Sequence, residues 1–125
     1  MNLLLWVGVA LAGGAGALLR FLVDGQVSAR VGRSFPYGTL VVNVSGAVAL
    51  GLLIGMTLRP ETVLLAGTGA VGAYTTFSTW MFETQRLGED RQLTGLLSNI
   101  VVSLLAGILA AEVGAEVGRA LGGAL

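Results

Sequence analysis

The 125-residue sequence lacks several residue types on which enzymes and metal-binding proteins depend. It has no cysteine and no histidine, and all seven of its basic residues are arginine, so lysine is missing as well. Disulfides and thiolate metal sites are thereby excluded. The commonest general base, the commonest zinc ligand and the amine that forms Schiff bases are also absent. We therefore expect a protein that is not an enzyme.

Charged residues are scarce. They make up 11% of the chain, which is about half the share in soluble domains. Hydrophobic residues reach 54% and glycine occurs 20 times, a composition typical of an integral membrane protein. Seven acidic residues balance the seven arginines, so no net charge favours a nucleic-acid partner. No basic stretch precedes the first apolar run, which predicts a resident helix there and no cleavable signal peptide.

Four apolar segments divide the chain, and each approaches the length of about 20 residues that spans a bilayer. They are predicted at about residues 2–23, 37–58, 62–82 and 93–121, with connections at 24–35, 59–61 and 84–92. The connections are too short for a soluble domain. We therefore predict an all-α, multi-pass protein of the cell (inner) membrane, with a single four-helix transmembrane domain over residues 1–125.

Small residues recur four positions apart in three of these segments, which places them on one face of each helix. The rows are Gly8, Ala12 and Gly16; Ala47, Gly51 and Gly55; and Ala106, Ala110, Gly114 and Gly118. Such rows let two helix backbones approach closely. Four helices are too few to surround a wide pore, so we expect more than one chain in the functional unit, with these rows at the contact.

The third segment has an unusual centre, residues 74–79, with the sequence Tyr-Thr-Thr-Phe-Ser-Thr. Glycines at positions 67, 69 and 72 precede it. Glycine weakens a helix, and Thr and Ser side chains compete for the helix's own backbone groups. We therefore predict that the third helix is broken near its middle. Irregular backbone at membrane depth is tolerated only where protein or a water-filled cavity covers it, so the break predicts a polar site.

Two further polar side chains within apolar segments each allow two interpretations. Asn43 would form an interhelical hydrogen bond that helps packing, or present its amide to a pore. Arg20 would be an interfacial anchor, or a charge at the mouth of a polar pathway.

The arginines differ slightly between the two sides of the membrane. Four segments place both termini on the same side, together with the second connection, and the first and third connections on the other. The first and third connections carry Arg30, Arg33, Arg86 and Arg91, and the opposite side carries Arg59 and Arg119. The positive-inside rule favours the first group in the cytoplasm. A bias this small would also allow insertion in both directions.

Four motifs carry a resemblance to a known family. They are GGAGALLRF at 13–21, FPYGTLVVNVSG at 35–46, GAYTTFSTWMFE at 72–83 and NIVVS at 99–103. The chain resembles the CrcB/Fluc family of small bacterial fluoride channels over essentially its whole length. The resemblance implies an antiparallel, dual-topology dimer of identical or homologous chains that encloses two narrow pores. The implied function is passive export of fluoride from the cytoplasm.

The resemblance also implies a structural sodium ion at the dimer interface, held by the backbone carbonyls of Gly72 and Thr75. Physical reasoning is compatible with this, because a broken helix leaves carbonyls without intrahelical partners. Two such breaks would offer neutral oxygens to one monovalent cation, whereas divalent ions normally recruit carboxylates. The alternative is that direct hydrogen bonds satisfy the break without an ion.

For the anion, the resemblance implies a pore-facing amide at Asn43, a ring at Phe77 and a polar track through Ser103. Trp80 stands where the family usually has a second Phe. Ring edges are electropositive, and the Trp80 indole adds an N–H donor. The alternative for both rings is packing against lipid or core. The remaining neutral donors predicted along the anion pathway are Ser78, Thr79 and Asn99, and the predicted pore mouth is Arg20 and Thr39.

Two other functions would need different residues from those of a fluoride channel. A small dual-topology cation or multidrug transporter needs an acidic residue within the bilayer, and the middles of the first three segments have none. A non-conducting membrane scaffold needs only the small-residue rows and does not account for the hydroxyls and amides.

Overall fold

The computed structural model describes residues 2–124, and the side chains of residues 2–122, as a bundle of helices. In chain order the elements are α1 (Leu3–Val31), α2 (Tyr37–Gly55), α3 (Pro60–Thr62), a π-helical stretch (Val63–Val71), α4 (Gly72–Tyr74), α5 (Ser78–Glu89) and α6 (Leu93–Ala124). Within residues 2–124 the regular secondary structure is all helical, which confirms the predicted all-α class.

Three of the described helices, α1, α2 and α6, are long and apolar enough to cross a membrane. The third predicted segment is divided among shorter helices, so it does not form one continuous span. Large apolar side chains cover the outside of the bundle; Leu3 is 80% exposed and Phe21 is 74% exposed. An exterior of this kind suits lipid or a second protein surface and does not suit water.

Helix α1 is longer than the sequence predicts. It continues to Val31, through much of the connection predicted at 24–35. Ser28 donates a hydrogen bond to the Asp24 carboxylate one turn earlier, and Arg30 lies in the last turn, where a cation complements the helix dipole. Gly32 ends the helix with a φ of 80°, a conformation that favours glycine.

The loop predicted at 84–92 is also mostly helix, because α5 runs to Glu89. Gln85 donates to Glu89 one turn later, at 3.3 Å. Only a short turn remains before α6, with a φ of 59° at Arg91. The prediction of a loop was wrong because Glu, Gln and Arg are good helix formers, and their polarity marks an exposed helix end.

Glycines let α2 and α6 lie in direct backbone contact. A Cβ added at Gly51 would collide with the carbonyl oxygen of Ala111, and one at Gly114 would collide with that of Val48. These small-residue rows were predicted to join two chains. In the structure the close approach that they permit joins two helices of the same chain.

The small residues on α1 likewise allow close contact between α1 and the third segment. A Cβ added at Gly16 would collide with the carbonyl of Ala70, in the π-helical stretch. One added at Gly13 would lie 3.6 Å from the Gly69 carbonyl oxygen, in ordinary van der Waals contact. The approach to the break is therefore held against α1.

The two arginine-rich connections, the first and the third, lie on the same side of the bundle, as predicted. The Arg86 guanidinium donates to the backbone carbonyl of Arg33 at 3.4 Å, so the first and third connections lie at the same end of the bundle. At the other end Arg119 pairs with Glu112 and Glu116.

Candidate functional site

The third segment is broken where the sequence predicts a break. Helix α4 ends at Tyr74 and α5 begins at Ser78. Between them Thr75 is extended, with φ −80° and ψ 162°. Its N–H and its hydroxyl both still donate to the Val71 carbonyl, at 3.0 and 3.1 Å. The first half-helix therefore closes at Thr75, and the chain leaves the helical path after it.

Asn43 on α2 holds the break with two hydrogen bonds. Its amide nitrogen donates to the Thr76 carbonyl at 2.8 Å, and its amide oxygen accepts from the Thr76 N–H at 2.9 Å. Both backbone groups of Thr76, which have left the helix, are thus satisfied. Of the two interpretations, the interhelical hydrogen bond is present. The amide nitrogen has a second hydrogen, so a further donor exists beside this pair.

The Thr76 hydroxyl organises the start of α5. It accepts from the backbone N–H of Thr79 at 3.2 Å, as a capping side chain does. It also lies 3.1 Å from the Thr79 hydroxyl and 3.4 Å from the Ser78 hydroxyl. Three hydroxyls therefore gather at a helix N-terminus, where the dipole favours negative charge.

A cavity of about 170 Å³ adjoins these hydroxyls. It is lined by Ala17, Arg20, Phe21, Asp24, Thr39, Val42, Thr76 and Thr79. The structure thus brings both predicted pore-mouth residues, Arg20 and Thr39, to the same cavity as Thr79. Arg20 also donates to the Thr75 carbonyl at 3.3 Å.

Sequence reasoning missed two carboxylates near this cavity. Asp24 lines it, because α1 continues past the predicted helix end. Glu83 accepts a hydrogen bond from the buried Thr39 hydroxyl. The available signal was spacing: Asp24 follows Arg20 by four residues, which puts both on one face of a helix.

Gly72 and Thr75, the predicted cation residues, line a second concavity of about 250 Å³. Its other lining residues are Asn43, Gly46, Ala47, Leu50, Gly67 and Val71. Gly72 is exposed, so this surface is open on the single chain. The Thr75 carbonyl already accepts from Arg20, and a carbonyl oxygen has a second lone pair.

The two aromatic residues after the break touch each other. Phe77 is 69% exposed. Its ring meets the Trp80 ring edge-to-face, with centroids 5.7 Å apart and planes at 82°. The Trp80 indole N–H donates to the backbone carbonyl of Asn99 on α6, at 3.0 Å. The donor that was predicted to face an anion thus has a protein partner.

Asn99 itself is almost fully buried, at 1% exposure. Its amide nitrogen donates to the Thr84 hydroxyl at 2.9 Å, which joins α5 to α6. Ser103, one turn further along α6, is half-buried. The participation of Ser78, Thr79, Asn99 and Ser103 in an anion pathway stays a prediction.

Together these features define a class: a multi-pass helical membrane protein with a polar, hydroxyl-rich site at an interrupted helix. Channels and transporters use such interruptions for small ions, because irregular backbone and hydroxyls then face a cavity.

Comparison with known proteins gives the family. The family model for "CrcB-like protein, Camphor Resistance (CrcB)" matches residues 7–115, and the chain belongs to this family. It is 62% identical over 103 residues to "Fluoride-specific ion channel FluC 2" of Mycobacterium tuberculosis, covering 82% of each chain. The protein of the same name from Mycolicibacterium paratuberculosis is 68% identical over 98 residues, covering 78% of this chain and 80% of that one. "Fluoride-specific ion channel FluC 1" of Leifsonia xyli is 44% identical over 101 residues, covering 78% and 74%.

These matches confirm the resemblance stated from the motifs. They also confirm that the chain is not an enzyme, since its relatives are named as ion channels.

Proposed function

We propose that this chain forms a fluoride-selective channel through which fluoride leaves the cytoplasm passively, relieving fluoride toxicity. The observation that carries the proposal is the cluster of neutral donors at the break, in a chain 62–68% identical to proteins named fluoride-specific channels. The break exposes hydroxyls and an aromatic ring in a bundle whose exterior is apolar.

Neutral donors suit conduction of a small, strongly hydrated anion. A pore must replace the water around the ion with donors, yet release the ion at the far side. The hydroxyls of Thr76, Ser78 and Thr79 and the electropositive end of α5 attract an anion without a full positive charge. Arg20 lines the adjoining cavity and would draw anions toward the mouth, where the opposite charge of Asp24 partly offsets it.

We assign a fourth membrane crossing to residues 60–89, made from two half-helices in series. The helical stretch from Pro60 to Tyr74 and α5 lie on either side of the break. Asn43 satisfies the backbone that would otherwise be unpaired at membrane depth. With α1, α2 and α6 this makes four crossings.

A second chain in the opposite orientation would complete the pore. The concavity at Gly72 and Thr75 is open on one chain, and much of the exterior is apolar, so lipid and a partner must cover it. An antiparallel homodimer, or a heterodimer with a homologous chain, meets this need. The slight arginine bias is compatible with insertion in both directions in the cell (inner) membrane.

The same face is suited to a structural sodium ion. The extended Thr75 turns away from the helical hydrogen-bond ladder, so its carbonyl accepts from Arg20 and keeps a second lone pair for a ligand outside the helix. Among the described residues no group of three or more acidic, His or Cys side chains forms a metal site. Neutral carbonyls from Gly72 and Thr75 of two chains would therefore favour a monovalent cation.

Ion efflux from liposomes that contain only this purified chain tests the proposal. We expect fluoride to leave the liposomes while chloride is retained, with no dependence on a proton gradient. Equal rates for both anions, or no fluoride efflux, would contradict a fluoride-selective channel.

The alternative of a small dual-topology cation or multidrug transporter rests on one observation. Asp24 lies within α1 and lines the polar cavity, so an acid is closer to the pathway than the sequence suggests. Such a transporter would move a cationic substrate only in exchange for protons. The same liposomes, loaded with a lipophilic cation under a proton gradient, distinguish the two functions.

A further inference from the structure

Trp80 is held by a bond that a phenylalanine at this position could not make. Its indole N–H donates to the main-chain carbonyl of Asn99 at 3.0 Å. Asn99 is 1% exposed and Trp80 is half-buried, so the bond lies at a partly buried contact between α5 and α6. A phenyl ring has no donor and could only pack there.

Two further hydrogen bonds join the same residues into a closed ring. The Thr84 hydroxyl donates to the Trp80 carbonyl at 2.8 Å, and the Asn99 amide nitrogen donates to that hydroxyl at 2.9 Å. Thr84 is buried as well, at 7% exposure. Satisfied networks of this kind make a buried contact rigid and specific. The first turns of α5, directly after the break, are therefore fastened to α6.

The Trp80 ring, which these hydrogen bonds hold in place, is in direct contact with the ring of Phe77. Phe77 is 69% exposed, so few protein neighbours restrain its ring. The Trp80 ring meets it edge-to-face, an arrangement that aromatic pairs prefer to face-to-face stacking. An exposed side chain otherwise changes rotamer within nanoseconds.

We infer that Trp80 is a positioning residue: its bond to the Asn99 carbonyl orients the ring against which Phe77 packs, and Trp80 does not itself bind the anion. The inference rests on the proposed fluoride conduction and specifies how one residue of this chain serves it. Two facts lead to it: the indole N–H has a protein acceptor, and the exposed ring is that of Phe77.

The first arm of the test measures the fluoride current of single channels in planar bilayers. This readout reports each working channel, so a smaller folded fraction does not change it. Trp80→Phe keeps an aromatic ring and loses the anchor. We expect its current to fall about fivefold, the equivalent of one net hydrogen bond. Trp6→Phe is the matched control, because Trp6 is 47% exposed at the start of α1, and its current should be unchanged.

The second arm observes the indole N–H directly. The chain has two tryptophans, so in the Trp6→Phe background the only indole signal in a nitrogen-15 NMR spectrum belongs to Trp80. With the N–H bonded to Asn99, its exchange with water should be slow and fluoride titration should barely move it. A direct fluoride ligand would instead show a large, saturable shift and coupling to fluorine-19.

The outcomes separate the inference from the proposed function. Fluoride current in the wild type with an unchanged current in Trp80→Phe overturns the inference alone, as does a fluoride-dependent indole shift. Absence of fluoride current in the wild type overturns the proposed function and the inference with it. If Trp80→Phe does not assemble, the NMR titration of the Trp6→Phe protein decides whether Trp80 binds the anion.

Discussion

The contact between α2 and α6 and the break in the third segment are both adapted to a lipid environment, but they use different kinds of residue. In lipid no hydrophobic force draws helices together, and no water satisfies loose backbone groups. At the α2–α6 contact Gly51 and Gly114 have no side chains, so the two helix backbones touch directly. At the break, polar side chains take part instead: Asn43 and the Thr76 hydroxyl form hydrogen bonds with backbone groups that have no partner within the helix.

The comparison teaches that small and polar residues in a membrane segment have different uses. The glycines at α2–α6 permit close packing, because the neighbouring backbone fills the space that a side chain would occupy. The polar residues at the break satisfy backbone groups and also border a cavity of about 170 Å³. Substitutions can therefore separate assembly from transport.

The largest effect should come from filling the α2–α6 contact. Gly114→Leu would drive its side chain into the Val48 carbonyl and the Leu52 N–H. We expect destabilisation of about 3 kcal/mol or more, since the backbone there cannot yield easily. Thermal unfolding in detergent measures it. Gly107→Leu is the control on the same helix, because nothing lies within 4 Å of that position in the chain; equal loss in both variants would refute the comparison.

The next largest effect should come from Asn43→Ala. It leaves the Thr76 carbonyl and N–H unpaired, at a cost of about 1 kcal/mol for each, the low end of the range for such groups, because Thr76 is only half-buried. Fluoride efflux should fall strongly, because the break loses its shape, while dimers persist on size-exclusion chromatography. Asn43→Asp keeps the acceptor for the Thr76 N–H but, as a carboxylate, loses the donor and places a negative charge beside the Thr76 carbonyl and the anion path, so its efflux should be no higher than that of Asn43→Ala. Full-rate efflux in Asn43→Ala would show that the hydrogen bonds between Asn43 and Thr76 are not needed for transport.

Phe77→Ala should affect transport and leave stability nearly unchanged. The ring is 69% exposed, and its removal opens no core cavity. We expect at least about a tenfold loss of fluoride efflux, an amount equal to about 1.4 kcal/mol of the barrier. Phe82→Ala is the matched control, since Phe82 is exposed to a similar degree, 67%. Similar losses in both variants would mean that Phe77 acts only by covering apolar surface.

The smallest effect should come from Tyr74→Phe. It removes the 2.8 Å hydrogen bond between the Tyr74 and Ser45 hydroxyls, which lies at the surface beside the break. We expect a loss of about 0.5–1.5 kcal/mol in stability and unchanged fluoride efflux. Lower efflux in this variant would mean that residues on the N-terminal side of the break also take part in fluoride transport.

Sequence reasoning succeeded where the signal is local. The glycines before Tyr74 and the hydroxyls after it predicted the break, and the structure places it at Thr75–Phe77. It failed at helix ends, because polarity at Asp24 and at 84–92 was taken for loop. It also assigned the glycine rows to the wrong partner, since spacing predicts a close approach and not which helix approaches.

The amino-acid sequence alone determined the membrane setting, the helical class, the absence of thiol and imidazole chemistry, the site of the break and the family. These properties follow from composition and from neighbours along the chain. Only the tertiary structure decided which donors have protein partners: Asn43 clamps Thr76, and the Trp80 indole bonds Asn99. The physical reason is that a hydrogen bond needs its partner within about 3 Å, and residues far apart in sequence reach that distance only when the helices pack.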